Sequence, residues 1–178
     1  MAAKKAKPKK SKSVTEPRDS GAQVKMRTKF SSPKPIEPPI YKTTIKIIGI
    51  GGGGSSIVSE IASKVKKVGF VVANTDIQAL KETVREVKRF QFGKSLTQGL
   101  GTRMNPELGE QAAEIDKEKI KELLKETDFC ILVSCLGGGT GSGASPVFAN
   151  ILNNLGILTL GIFILPFEFE GGKRTQIA

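Results

Sequence analysis

Residues 129–143 read FCILVSCLGGGTGSG. Phe129 to Leu136 form an apolar run of strand length, and such a run without alternation fits a strand buried on both faces. Seven residues follow, Gly137 to Gly143, of which five are glycine. A tight turn needs only one or two glycines. The surplus has another use, because glycine lets backbone amides approach an anion with no side chain in the way. The helix expected next would add free N–H groups and a partial positive charge at the same place. The segment therefore reads as strand, phosphate cradle, helix. It is not a Walker loop, since no Lys follows the last glycine. The competing reading is a glycine turn that only permits close packing.

A second glycine run lies upstream. Thr43 to Ile50 reads as a strand, with Ile45, Ile47, Ile48 and Ile50 apolar on both faces. Gly49-Ile50-Gly51-Gly52-Gly53-Gly54-Ser55-Ser56 follows and satisfies G-x-G-x-x-G through Gly49, Gly51 and Gly54. Asp76 lies roughly 20 residues on, where a dinucleotide-binding fold places its ribose acid. Taken alone, this loop supports an NAD-binding oxidoreductase as well as a nucleoside triphosphate site. The downstream loop decides between them, because a dinucleotide enzyme has no need of a second cradle. In an open parallel sheet, ligands bind beyond the carboxyl ends of the strands, so two loops at that edge can converge on one anion.

The rest of the chain fits this frame. A helix is expected over Ser55–Lys67, strands over 69–73 and 87–92, and a short helix over 77–84. A glycine-bearing loop spans 93–104. Asn105 and Pro106 give a helix start, a capping side chain followed by proline at the first helical position. Asp116 is expected to cap the helix carrying Ile120, Leu123 and Leu124. The Lys and Glu alternation from Glu114 to Glu126 reads as a solvent-facing side with i, i+4 pairs. A helix is expected to open near Ser145 and Pro146 and to close at Gly156, and Leu158–Leu165 reads as a fifth strand. Phe90, Phe92, Phe129, Phe148 and Phe163 read as core. The alternation predicts an α/β fold: an open, mostly parallel sheet with helices on both faces.

Composition divides the chain. The 178 residues carry 28 Lys and Arg against 17 Asp and Glu, yet residues 1–42 hold 12 of those bases and 3 of the acids. Residues 1–41 read as a disordered basic tail, rich in Lys, Pro and Ser and too poor in apolar side chains to offset chain entropy. Residues 42–178 read as the folded domain. The tail has no aromatic interleaving or amphipathic stripe, so it reads as a solvated linker, with non-specific contact to anionic membrane or nucleic acid as the alternative. There is no histidine, which excludes His-based acid–base and triad chemistry within this chain. Cys130 and Cys135 have odd spacing along one strand and read as two small core residues, not a disulfide or zinc pair. No apolar stretch reaches membrane-spanning length, and no apolar segment follows the basic amino terminus. A cytoplasmic location is expected.

With both loops in hand, the sequence resembles the tubulin/FtsZ family of GTPases. GGGTGSG is similar to that family's signature, and GIGGGGSS (Gly49–Ser56) to its first phosphate loop. Asn74-Thr75-Asp76 resembles the loop after its second strand. GLGTRMNPELG (Gly99–Gly109) resembles its gamma-phosphate-sensing segment, and PFEFEG (Pro166–Gly171) with Arg174 its ribose-contacting segment. The resemblance covers about residues 43–178. It implies GTP or GDP as ligand, with Mg²⁺. Gly52, Gly53 and Ser56 would line the alpha and beta phosphates. Gly138, Gly139, Thr140, Gly141 and Ser142 would hold the beta and gamma phosphates, with Thr140 donating its hydroxyl. Asn74 and Asp76 would border the sugar and phosphates, Thr102 and Asn105 would sense the gamma phosphate, and Glu170 and Arg174 would contact ribose and base.

The family's chemistry is phosphoryl transfer to water, completed when a second subunit docks head to tail and supplies acidic residues. The resemblance thus implies a self-polymer at the bacterial division site, with membrane-anchoring division proteins as partners. The guanine-recognising residues and the acidic water-positioning loop would lie beyond Ala178. No catalytic residue and no protein metal ligand is expected within this part, which reads as an amino-terminal fragment without appreciable turnover of its own. Ser56 stands where the family usually has Asn, and Arg103 where a small glycine is usual. These departures motivate a further alternative, a non-hydrolysing scaffold or regulator.

Overall fold

A computed structural model describes residues 42–178. The expected basic tail, residues 1–41, lies outside the described residues. Five strands form one sheet: β1 (Ile45–Ile50), β2 (Gly69–Asn74), β3 (Lys88–Gln91), β4 (Phe129–Cys135) and β5 (Leu158–Ile164). Their order is β3-β2-β1-β4-β5, and every neighbouring pair is parallel. Ile48 on central β1 stands beside Val71 on one side and Leu132 on the other. The chain first winds outward from β1 to β3, then returns to place β4 against the other edge of β1. The β1/β4 junction is therefore the topological switch point, where open α/β sheets bind ligands.

Among the described residues seven α-helices accompany the strands: α1 (Gly51–Ala62), α2 (Ile77–Lys81), α3 (Lys94–Thr97), α4 (Pro106–Ile115), α5 (Lys117–Leu124), α6 (Gly139–Asn154) and, after β5, α7 (Gly172–Ile177). Strand periodicity sorts the apolar residues onto two faces. Ile48, Ile50, Val71, Ala73, Cys130 and Leu132 pack on one face against α4, α5 and α6, with Phe148, Ile151 and Leu152 fully buried. Phe92 meets Phe148 edge-on, with ring centroids 5.7 Å apart. Val72 and Val133 pack on the other face against Val58 and Ala62 of α1 and Leu80 of α2. Helices thus cover both faces, as the alternation predicts.

Several local expectations are revised. Both glycine runs read as loops, but α1 begins at Gly51 and α6 at Gly139, each within four residues of its strand. Pro146 lies inside α6 instead of opening it. Asp116 stands at the cap position of α5 without bonding its amides. Its carboxylate instead accepts from Gly93 N at 2.7 Å and from Lys119 Nζ at 2.6 Å, tying the end of β3 to this helix junction. The acidic and basic pairs on α4–α5 are spaced i, i+3, as in Lys117–Glu114 and Lys121–Glu118. Phe163 is 45 % exposed, because β5 is an edge strand that carries apolar residues outward on both faces, Leu158 being 70 % exposed. No helix among the described residues is long and apolar enough to cross a membrane.

Candidate functional site

Beyond the carboxyl ends of β1 and β4 lies a cleft of about 590 Å³, within the usual range for small-molecule sites. Its floor is made by the first turns of α1 and α6. They meet closely: a Cβ placed on Gly51 would stand 3.0 Å from Gly141 N. The first turn of any helix has N–H groups with no partner inside the helix. The two helices that follow the neighbouring loops, α2 and α4, have theirs capped. Asp76 caps α2, accepting from Gln78 N at 2.8 Å, and Asn105 caps α4, accepting from Leu108 N at 3.2 Å. Neither α1, preceded by Ile50, nor α6, preceded by Gly138, has a side-chain cap. Two uncapped helix starts with their positive dipole ends therefore share one cleft, which is an anion site by construction.

The glycines on this floor fall into two groups. A Cβ on Gly139 would lie 2.6 Å from Asn105 N, and one on Gly143 would drive into the Pro106 carbonyl. These glycines let α6 sit against α4. Gly52 and Gly138 are different, since a Cβ on either would meet nothing within 4 Å. Gly138 also has an ordinary extended backbone (φ −104°, ψ 159°), which any residue adopts. Neither crowding nor backbone strain calls for glycine there. A side chain at either position would fill space directly above the free amides, so the cradle fits an anion that must come close to the backbone.

Three buried threonines brace the cleft wall. The Thr140 hydroxyl lies 2.8 Å from Thr75 Oγ1 and 3.1 Å from Thr102 Oγ1. A hydroxyl has one proton and two lone pairs, and this one is already engaged twice. The hydroxyl expected to face the phosphates is thus turned to its threonine neighbours, and Thr140 offers the cleft its backbone N–H in the first turn of α6. The loop bearing Thr102 is held at both ends. Asp76 forms an isolated antiparallel bridge with Leu100, and Asn105 N donates to Thr102 O at 2.9 Å. Arg103, on this loop, lines the cleft with φ +49°.

On the opposite rim, Arg174 Nη1 donates to Glu170 Oε2 at 2.6 Å. Glu170 Oε1 also accepts from Phe167 N at 3.0 Å. That backbone hydrogen bond, followed by Arg174, holds the Glu170 carboxyl below the usual range. Cys135 points into the cleft, opposite in sense to buried Cys130, so it is not the core residue its strand suggested. Partial burial, and secondarily Glu170, push the Cys135 thiol up. Phe167 and Phe169 stack on each other at 5.3 Å and stand exposed.

Of the 14 site residues expected from sequence, 11 line this one cleft: Gly52, Gly53, Asn74, Asp76, Thr102, Gly138, Gly139, Thr140, Gly141, Glu170 and Arg174. Three do not. Ser56 faces the far side of α1, its hydroxyl donating to Gly52 O at 3.1 Å. Asn105 is occupied in capping α4. The Ser142 hydroxyl accepts from Gly137 N at 2.9 Å, fixing the turn into α6. Sequence reasoning missed Cys135, Leu136, Ile164, Leu165 and Pro166 as lining residues. The signal was available, since all sit at the carboxyl ends of β4 and β5. No group of three or more metal-binding side chains occurs among the described residues.

Residues 44–178 match the family described as the tubulin/FtsZ family, GTPase domain. The chain belongs to this family. It is 48 % identical over 136 residues to the cell division protein FtsZ of Azotobacter vinelandii, covering 75 % of this chain and 34 % of that protein. It is 47 % identical over 135 residues to FtsZ of Pseudomonas aeruginosa, with the same coverage. Among solved structures, an empty FtsZ dimer of M. jannaschii is similar at a TM-score of 0.71 and 38 % identity, over 75 % of this chain and 39 % of that one. A GTPγS-bound protofilament of CetZ2 from Haloferax volcanii is similar at a TM-score of 0.68 and 27 % identity, over 74 % of this chain and 42 % of that one. The chain spans about a third of the length of the curated relatives it matches. Family membership does not favour the dinucleotide-oxidoreductase alternative.

Proposed function

We propose that this chain is the phosphate-binding part of a GTP-binding and GTP-hydrolysing cytoskeletal protein that polymerises head to tail for bacterial cell division. The observation that carries the reading is the pair of uncapped helix starts, α1 and α6, opening into one cleft whose floor glycines Gly52 and Gly138 leave room for phosphate. The first turn of α1 takes the alpha and beta phosphates through Gly52 and Gly53. The first turn of α6 takes the beta and gamma phosphates through the amides of Gly139, Thr140 and Gly141. Asn74 and Asp76 border the sugar side, and Glu170 with Arg174 the ribose and base. Thr102 holds the gamma-phosphate loop in place through Thr140. Ser56, Asn105 and Ser142 support the cradle from outside it.

Among the described residues no side-chain cluster for a divalent cation lies in the cleft, and Mg²⁺ would arrive on the phosphates, its usual mode of binding. With the nucleotide, Mg²⁺ would supply charge neutralisation during phosphoryl transfer. Among the described residues the two carboxylates of the cleft are already engaged, Asp76 in capping α2 and Glu170 with Arg174, so the acidic residues that position water come from a docking subunit. Self-assembly is supported by the protofilament and dimer forms of similar structures. Membrane-anchoring division proteins, a cytoplasmic position at the division site, and non-specific anion contact by the basic tail complete the proposal.

The test is binding of GTP against ATP, with Mg²⁺ and sedimentation in the same assay. GTP-selective binding with pelletable polymer supports the reading. Nucleotide binding without polymer supports the scaffold or regulator alternative, which Arg103 in the cleft and Ser56 outside it favour. Binding of neither nucleotide overturns both.

A further inference from the structure

Four charged side chains line the cleft: Asp76, Arg103, Glu170 and Arg174. Three are committed. Asp76 caps α2, and Glu170 and Arg174 neutralise each other at 2.6 Å. Arg103 makes no ion pair and no side-chain hydrogen bond among the described residues. It also sits where arginine is not the easy choice. Arg103 and Met104 have successive positive φ values, +49° and +62°, a region that costs an L-residue with a side chain and suits glycine. The loop tolerates this because it is fixed on all sides. Thr102 is tied to Thr140, Asn105 caps α4, and the backbone of Asn105 lies against Gly139. A strained, over-determined residue at a ligand cleft is the pattern expected of functional strain.

We infer that Arg103 is a specificity-determining cation for the terminal phosphate of a nucleoside triphosphate. This rests on the nucleotide-binding reading above and goes beyond it. The loop is tied to the start of α6 through Thr102–Thr140 and Asn105–Gly139, so the guanidinium serves the phosphate held at α6. Arginine presents a planar fork suited to phosphate oxygens and keeps its charge at any working pH. A fixed cation there favours triphosphate over diphosphate. It also reduces dependence on a divalent cation, because part of the terminal charge is met by the protein.

The experiment compares GDP with a non-hydrolysable GTP analogue by titration calorimetry, using the full chain, with Mg²⁺ and again in EDTA. Arg103→Gly removes the charge and relieves the strained φ, so its thermal midpoint should equal or exceed the parent's. The parent should prefer the triphosphate at least tenfold in EDTA. Arg103→Gly should bring that ratio within twofold of unity while GDP affinity changes less than twofold. Arg103→Lys should restore most of the preference. Met104→Gly, which frees the same turn without touching charge, should leave the ratio intact. An unchanged ratio in Arg103→Gly overturns the inference, as does tighter binding of both nucleotides, which would mark the side chain as an obstruction. A ratio lost equally in Met104→Gly also overturns it, since loop rigidity would then be the cause. Failure of the parent to bind either nucleotide overturns the functional reading itself, together with this inference.

Discussion

The contact between α4 and α6 and the floor of the cleft are both made of glycine, and GGGTGSG contributes to both. At the helix contact, Gly109, Gly139 and Gly143 let two backbones approach to distances no side chain survives. On the cleft floor, Gly138 is one residue from Gly139, yet a Cβ there meets only open space. The first group serves packing, and the second leaves the cleft floor open. The difference separates two readings that composition presents as rivals, a turn that allows close approach and a phosphate cradle. The geometry leaves room for both, at neighbouring positions of one motif.

Substitution can break this division at either end. The largest effect is expected for Gly143→Ala, whose methyl would enter the Pro106 carbonyl and stand 2.8 Å from Glu110 N. Backbone cannot yield as a flexible side chain can, so the loss should be about 3 kcal/mol, towards the high end of overpacking costs. Urea unfolding measures it, and a loss below about 1 kcal/mol would mean that α4 slides easily. Gly138→Ala should leave the urea midpoint unchanged but weaken GTP at least tenfold, about 1.4 kcal/mol. If it destabilises instead, Gly138 belongs with the packing group.

Gly52→Ala should sharpen the contrast further. In the first turn of α1 it gains helix propensity, so stability should rise by up to about 1 kcal/mol while nucleotide affinity falls. A variant that is both more stable and a weaker binder identifies a glycine kept for its ligand.

The two thiols of β4 repeat the comparison on a smaller scale. Burial pushes the Cys130 thiol up to about 12, partly offset by Lys46. Iodoacetamide at pH 8 should therefore modify Cys135 and spare Cys130 in the folded chain, as read by mass spectrometry. Cys135 lies so close to Gly53 that a Cβ there would stand 2.5 Å from its sulfur. Bound GTP should slow Cys135 alkylation a few-fold, and equal rates with and without nucleotide would place the phosphates elsewhere.

The sheet was legible in the sequence because Ile45–Ile50, Gly69–Asn74 and Phe129–Cys135 are apolar on both faces and punctuated by glycine, asparagine and proline. The start of α4 was legible because Asn105-Pro106 is a local signal with a local cause. The starts of α1 and α6 were misplaced for the opposite reason. Glycine is a poor helix former in isolation, and only the distant backbones of Val133, Cys135 and Pro106 make helical glycine the residue that fits. Asp116 was misjudged similarly, because its partner Gly93 N lies 23 positions away. Of the candidate site, the floor could be read from its glycines. The Thr75–Thr140–Thr102 relay could not, since three scattered threonines carry no spacing signal.

Strand β5 carries a consequence for handling the protein. It pairs with β4 along one side, and its other edge has no strand neighbour among the described residues. Leu158, Leu160 and Ile162 are exposed along it. An open apolar edge is a template for any extended chain that reaches it, so solubility becomes a question of dose. Dilute samples should scatter little light, concentrated ones should turn turbid before they unfold, and Leu160→Lys should raise the concentration at which this begins.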